Sequence, residues 1–316
     1  MRARQAAFLG TVMVLLLLSA GWAYLAAPGS AAGDGRLHVV ATFYPLYYFA
    51  TEIGGERARV DALIPFNSEP HTWEPRISDI VNVDQARVFI YNGAGLEPWV
   101  GKLLGTLQHR DSLMVVDATS GLPLQQAGPG TTDEKGGPDP HVWLDPLLAT
   151  EQVELIRKAF CEADPGGSDH YNATAAGLTG RLAALDAAFR EGLANRTRNV
   201  IVTTHEGFGY LARRYNFTAE AVLGLEPNQQ PSAAKLAEIV KQVEDHDLQV
   251  VFGEPVYSDR FMQTIAGEVR HQTGRDIQVL VLDGLHGQAG PHAGMDYFQI
   301  QQDNLKNLRI GLGVTA

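Results

Sequence analysis

From Arg36 to the C-terminus, short apolar runs alternate with stretches of helical period, and the alternation occurs twice, on either side of a long helical segment. The first series reads as strands 37–42, 59–64, 87–91 and 112–117, with helices 44–53, 78–86 and 97–107 between them. The second reads as strands 199–204, 219–223, 248–253 and 276–283, with helices 208–215, 232–245, 260–273 and 297–308. Strands joined through helical connections run parallel, and a parallel sheet is covered on both faces. Between the series lie helices 146–162 and 169–194, separated by Asp164-Pro165-Gly166-Gly167, with Ser168 as the expected cap of the second. At 1.5 Å per residue that second helix is about 39 Å long and reads as a rigid spine. The expected architecture is therefore α/β: two α/β domains with mostly parallel sheets, 36–165 and 199–316, joined by a linking helix over 166–198.

The N-terminus has a different character. Arg2 and Arg4 precede an uncharged apolar run, Ala6 to Ala27, which is the pattern of an export signal. Its 22 residues are also enough to span a bilayer, so 1–35 is expected to be a signal peptide or a membrane anchor with its tether. Either way the protein is expected to work outside the cytoplasmic membrane, at the cell surface or in a periplasm. A net charge of -11 excludes a nucleic-acid groove, which needs a basic face. The single cysteine, Cys161, excludes an internal disulfide and a thiolate metal cage, and is expected to be a buried packing residue.

The chemistry gathers at histidines. After a linker of Gly, Pro, Thr and charged residues, 126–138, the chain turns to Asp139-Pro140-His141-Val142-Trp143-Leu144-Asp145-Pro146. Prolines on both sides hold the backbone around one imidazole, and a fixed imidazole makes a good ligand. Pro70-His71-Thr72-Trp73-Glu74-Pro75 repeats the arrangement. In open α/β sheets ligands bind beyond the C-terminal strand ends. His71 follows the second strand, His141 the fourth, His205 comes directly after Val200 to Thr204, and Asp283 closes the run Ile277 to Leu282. Three imidazoles and one carboxylate make a tetrahedral site suited to zinc, and acceptable to manganese or iron.

These pieces, together with His205-Glu206-Gly207-Phe208-Gly209-Tyr210 and Leu282-Asp283-Gly284-Leu285, resemble the zinc- and manganese-specific substrate-binding proteins of ABC importers. The resemblance runs from about Leu37 to the C-terminus. It implies that His71, His141 and His205 are metal ligands and Asp283 the fourth, although relatives usually carry a proline where this chain has Gly284. Manganese-binding members often place a glutamate at the third position, so His205 favours zinc, with manganese the alternative. The fourth place stays open to Glu254, Glu206, Glu69 or water. His286 and His292 read as solvated loop residues, and Asp145 and Glu74 as partners that orient His141 and His71. Trp73, Trp143, Phe43, Tyr44 and Phe208 are expected to dry the site.

The expected function is an extracytoplasmic receptor that captures a divalent metal ion between two domains and delivers it to a membrane permease. It is expected to be a monomer and not an enzyme, with affinity falling as pH drops through about 6.5. Two other classes fit parts of the pattern. One is a zinc hydrolase with three histidines and a catalytic water. The other is a surface adhesin with a structural metal.

Overall fold

Both series fold into four-stranded sheets, and each strand is parallel to its neighbours. The computed structural model describes residues 35–126, 137–225 and 230–315. The expected signal or anchor segment lies outside the described residues, as does most of the 126–138 linker, whose ends Gln126 and Pro138 pair in an antiparallel bridge.

The first sheet has the order β2-β1-β3-β4, from β1 (Leu37–Ala41), β2 (Ala58–Ala62), β3 (Val88–Tyr91) and β4 (Met114–Asp117). The second repeats it as β6-β5-β7-β8, from β5 (Val200–His205), β6 (Thr218–Leu223), β7 (Val250–Gly253) and β8 (Gln278–Val281). In each, the chain steps outward one way, returns past its first strand and continues the other way. That reversal opens a crevice at the C-terminal strand ends.

The connections are α1 (Tyr44–Gly54), α2 (Ile77–Asp84) and α3 (Val100–Leu104) in the first half, and α6 (Gly209–Tyr215), α7 (Ala233–Asp245) and α8 (Arg260–Thr273) in the second. Helices α4 (Pro146–Ala163) and α5 (Ser168–Gly192) lie between the halves in sequence, and α9 (Tyr297–Gly311) ends the chain. The expected helix 97–107 contracts to α3 because Pro98, Gly101 and Gly105 weaken it and Glu97 is used elsewhere. Buried Glu97 accepts hydrogen bonds from the Thr42 hydroxyl and from the backbone N–H groups of Asn92 and Gly93.

Alternation along the strands sorts side chains between layers. Val39 and Ala41, Val88 and Ile90, Ile201, and Val250 and Phe252 enter one central apolar cluster shared by both sheets. Val40 and Phe89 face outward under α2 and α3, and Val202 and Val251 outward under α7 and α8. Residues 37–316 accordingly form one compact unit. The expected spine is there as α5, whose Tyr171, Ala175, Leu178, Leu182, Leu185 and Phe189 recur at helical spacing and are buried. It packs on α1, α4 and α9. Ser168 does not cap it: its φ of -54° and ψ of -41° are already helical, because the chain arrives through a tight turn at Pro165–Gly167. Cys161 is half-buried against the central cluster instead of fully enclosed. Among the described residues, no helix is long and apolar enough to cross a membrane.

Candidate metal centre

Three loops and one strand end bring one imidazole each to a common point. His71 stands in a single turn, Pro70–Thr72, beyond β2. Glu69 caps that turn by accepting from the backbone N–H of His71 (3.1 Å) and of Thr72 (3.2 Å). His141 follows Asp139-Pro140, and Asp139 Oδ1 accepts from both its backbone N–H (2.9 Å) and its ring Nδ1 (2.8 Å). A short aspartate bonding two residues ahead is a turn-forming device in its own right. His205 is the last residue of β5, and Glu254, just past β7, accepts from its backbone N–H (3.1 Å) and its Nδ1 (2.6 Å).

The fourth imidazole is His286, beyond β8. Leu285 before it has φ of 57°, an unusual left-handed residue, and Asp283 Oδ1 holds the turn by accepting from its N–H at 2.7 Å. His286 is 1% exposed, and both of its ring nitrogens are buried without a hydrogen-bond partner.

One potential ligand atom from each of His71, His141, His205 and His286 lies within 4.8 Å of all the others. His141 Nε2 is 3.2 Å from the Nε2 of both His71 and His205. With Asp139 and Glu254 ionised, their Nδ1 bonds assign the proton of His141 and of His205 to Nδ1. Two lone pairs then face one another across 3.2 Å, an arrangement that calls for a cation between them. Tetrahedral zinc with Zn–N bonds of about 2.0–2.1 Å sets its nitrogens about 3.3 Å apart. The spacing fits.

Glycine is required beside this point. A Cβ on Gly207 would lie 2.5 Å from both Cε1 and Nε2 of His205 and 3.3 Å from Cδ2 of His141. Apolar rings close the surroundings: Phe43, Trp143 and Phe208 are all buried, with Trp143 5.1 Å from the His141 ring and Tyr257 5.1 Å from that of His205.

The expected set therefore holds for His71, His141 and His205 as neighbours, but Asp283 is not brought into the cluster. Its Oδ1 builds the Leu285 turn and its Oδ2 accepts from His292 Nδ1 at 2.6 Å. That leaves the carboxylate engaged in shaping the loop that carries His286. The expectation of solvated His286 and His292 is overturned, since both are buried. Glu254 stands behind His205 as its hydrogen-bond partner, and Glu69 caps the His71 turn. The orienting group of His141 is Asp139. Asp145 instead caps α4 through the Leu147 N–H and neighbours Arg214. Glu74 lines a pocket on the outer side of His71. Sequence spacing contained the Asp139 signal, in Asp-Pro-His. It contained no periodic signal for His286, whose burial follows from a turn and not from a repeating pattern.

Burial tunes the electrostatics. It holds the imidazoles of His71, His141 and His286 well below the usual histidine range, and neighbouring imidazoles lower them further. They are neutral, with lone pairs available for a metal. Burial pushes the Asp139 carboxyl up to about 7 and raises that of Glu254. His292 moves the other way, raised by its hydrogen bond to Asp283.

The family model for "Zinc-uptake complex component A periplasmic" (ZnuA) matches residues 39–311. The chain belongs to the ZnuA family. It is 32% identical to the high-affinity zinc uptake system protein ZnuA of Bacillus subtilis, across 96% of this chain and 97% of that one. The zinc-binding lipoprotein AdcA of Streptococcus pneumoniae is 33% identical over 87% of the chain, which spans only about half (56%) of AdcA. The crystal structure of the Zn(II)-bound ZnuA-like domain of AdcA superposes with a TM-score of 0.73, at 33% identity, over 88% of this chain and 99% of that domain. A bifunctional laminin-binding protein of Streptococcus agalactiae, with adhesin and metal transporting activity, superposes with a TM-score of 0.76 at 25% identity, over 88% of this chain and 99% of that one. The ZnuA family membership agrees with the resemblance drawn from the histidine motifs, and with the two parallel sheets.

Proposed function

We propose that this chain is a substrate-binding receptor for zinc, which it captures outside the cytoplasmic membrane and delivers to an ABC permease. The ligands are His71, His141, His205 and His286. The observation that carries this reading is His286, whose two buried ring nitrogens are unpartnered beside three other imidazoles. A buried polar group without a partner costs about 1–3 kcal/mol, and a zinc ion supplies the missing bond. Family membership and the zinc-binding relatives support the same reading. Segments 36–165 and 199–316 act as two lobes joined by 166–198, and the ion sits between their strand ends.

Four imidazoles fill a tetrahedral shell and leave no position for an activated water, which sets the receptor apart from a hydrolase. Four neutral nitrogens also suit zinc better than manganese, which prefers carboxylate, carbonyl and water oxygens. The protein is not an enzyme in this reading, and it works as a monomer.

Calorimetry of zinc binding to the wild type and to His286→Ala and Asp283→Ala tests the assignment. His286→Ala is expected to weaken zinc about a hundredfold or more, beyond the 10–100-fold typical of outer partners. Asp283→Ala is expected to act only within that outer range. The reverse ranking would restore Asp283 as the ligand. One zinc per chain, bound by the wild type, is the result that the whole reading requires.

A further inference from the structure

His71 is held differently from its neighbours. Asp139 and Glu254 each bond the ring of their histidine, whereas Glu69 bonds the backbone N–H of His71, on the single turn Pro70–Thr72. Of the four clustered histidines, His71 alone is not fully buried. An imidazole on a short, partly open turn keeps its distance to an ion only if the turn itself is fixed. The fixing contact comes from the far half of the chain.

The Tyr257 hydroxyl donates to Glu69 Oε1 at 3.3 Å, and the same oxygen accepts from the His71 N–H at 3.1 Å. Glu69 Oε2 is taken by the N–H and the hydroxyl of Thr72, at 3.2 and 3.3 Å, so both oxygens are committed to this turn. Burial and the nearby carboxyls of Glu254 and Glu69 raise the Tyr257 phenol well above its usual range, so the hydroxyl stays protonated and donates. Tyr257 is itself anchored. Its N–H donates to the Glu254 carbonyl at 3.1 Å, closing a turn directly after β7. Its ring centroid lies 5.1 Å from that of His205 and 6.1 Å from that of His286. One turn therefore carries Glu254, which orients His205, and Tyr257, which reaches Glu69 188 residues away. A phenylalanine ring would fill the same space. What the hydroxyl adds is a bond between the two halves of the chain beside the cluster.

We infer that Tyr257 is a positioning residue of the metal site: through one oxygen of Glu69, its hydroxyl fixes the turn of His71 at the spacing of a four-coordinate ion. His71 Nε2 stands 3.2 Å from His141 Nε2, close to the separation of about 3.3 Å that tetrahedral zinc sets. A loosened turn lets that spacing grow and a water enter the shell. That costs more for zinc, held by four donors, than for an ion that takes further oxygen ligands. The inference rests on the zinc-receptor reading above and adds to it a residue that acts on one ligand from behind.

Zinc competition with a chromophoric chelator and the visible spectrum of the cobalt(II)-loaded chain test this. Tyr257→Phe keeps the ring and removes the hydroxyl. It is expected to weaken zinc about tenfold, the scale of one lost bond to a charged group. It is also expected to replace the intense bands of four-coordinate cobalt by the weaker ones of a shell that has admitted water. In a His71→Ala background the same substitution is expected to change nothing further, because the two residues act in series. An unchanged cobalt spectrum in Tyr257→Phe would overturn the inference and leave the receptor reading standing. So would an equal loss of zinc affinity in both backgrounds, which would assign the effect to His205 or His286. Where His71→Ala binds too weakly to titrate, the cobalt spectrum alone decides. A wild type that takes up no stoichiometric zinc would remove the receptor reading and the inference together.

Discussion

A clustered imidazole is positioned by the group behind it. Asp139 and Glu254 each bond both the backbone and the ring of their histidine, so one carboxylate sets position, tautomer and basicity at once. Asp139→Asn and Glu254→Gln preserve size and remove charge. Each is expected to lower zinc affinity about 10–100-fold, read by competition with a chromophoric chelator, with the fold intact by circular dichroism. Gly207→Ala is expected to abolish stoichiometric binding, since its methyl would sit against the metal-facing edge of His205. At this scale the motifs pointed to His71, His141 and His205, which the fold does bring together, because proline or a strand end fixes each of them in the sequence itself. They misled about Asp283, because a carboxylate at a strand end looks the same whether it binds a metal or ties a turn. What separates the two is where its oxygens point, and that depends on Leu285 and His292.

The loop from Asp283 to Asp296 shows how an element without regular structure is made stiff. Asn304 of α9 grips its first residue twice, accepting from the Asp283 N–H (2.8 Å) and donating to the Asp283 carbonyl (2.9 Å). The Trp143 indole donates to the Gly284 carbonyl at 2.7 Å, and the Gln288 N–H to the Phe66 carbonyl at 2.8 Å. Tyr44 on α1 donates to the Met295 carbonyl at 3.1 Å. The loop of His286 is thereby tied to the loops of His71 and His141. Asn304→Ala leaves two buried backbone groups unsatisfied and is expected to cost about 1–3 kcal/mol in urea unfolding. It is also expected to weaken zinc while leaving Gly207 and the other three histidines in place. The strands and helices around this loop could be read from period alone, apart from the shortened α3 and the start of α5. The loop could not, because much of its order comes from Trp143, Phe66 and Tyr44, more than a hundred residues away.

Across the whole molecule, the central apolar cluster spans both sheets, so the halves are expected to unfold together. A single calorimetric transition is the prediction, and two separate ones would count against a shared core. Zinc at a thousand times its dissociation constant should add about 4 kcal/mol. For a chain of this size that is roughly 10 °C in midpoint. The two-sheet plan was legible because alternation survives in any sequence that builds parallel sheets. The sharing of one core was not, because an apolar residue does not say which layer it will meet. Two of the clustered imidazoles, His141 and His205, have a carboxyl one hydrogen bond behind them, Asp139 and Glu254. Burial pushes the Asp139 carboxyl up to about 7, so near neutrality it is partly protonated, and a divalent ion displaces that proton. Loading thus releases protons at pH 7 and fewer at pH 9, a difference that calorimetry in buffers of unlike ionisation heat will show. The affinity begins to fall near pH 7, above the range set by the imidazoles themselves. The receptor is in effect a miniature ion exchanger, trading protons for zinc, and acid outside the membrane works against it through the Asp139 carboxyl before the imidazoles beside it.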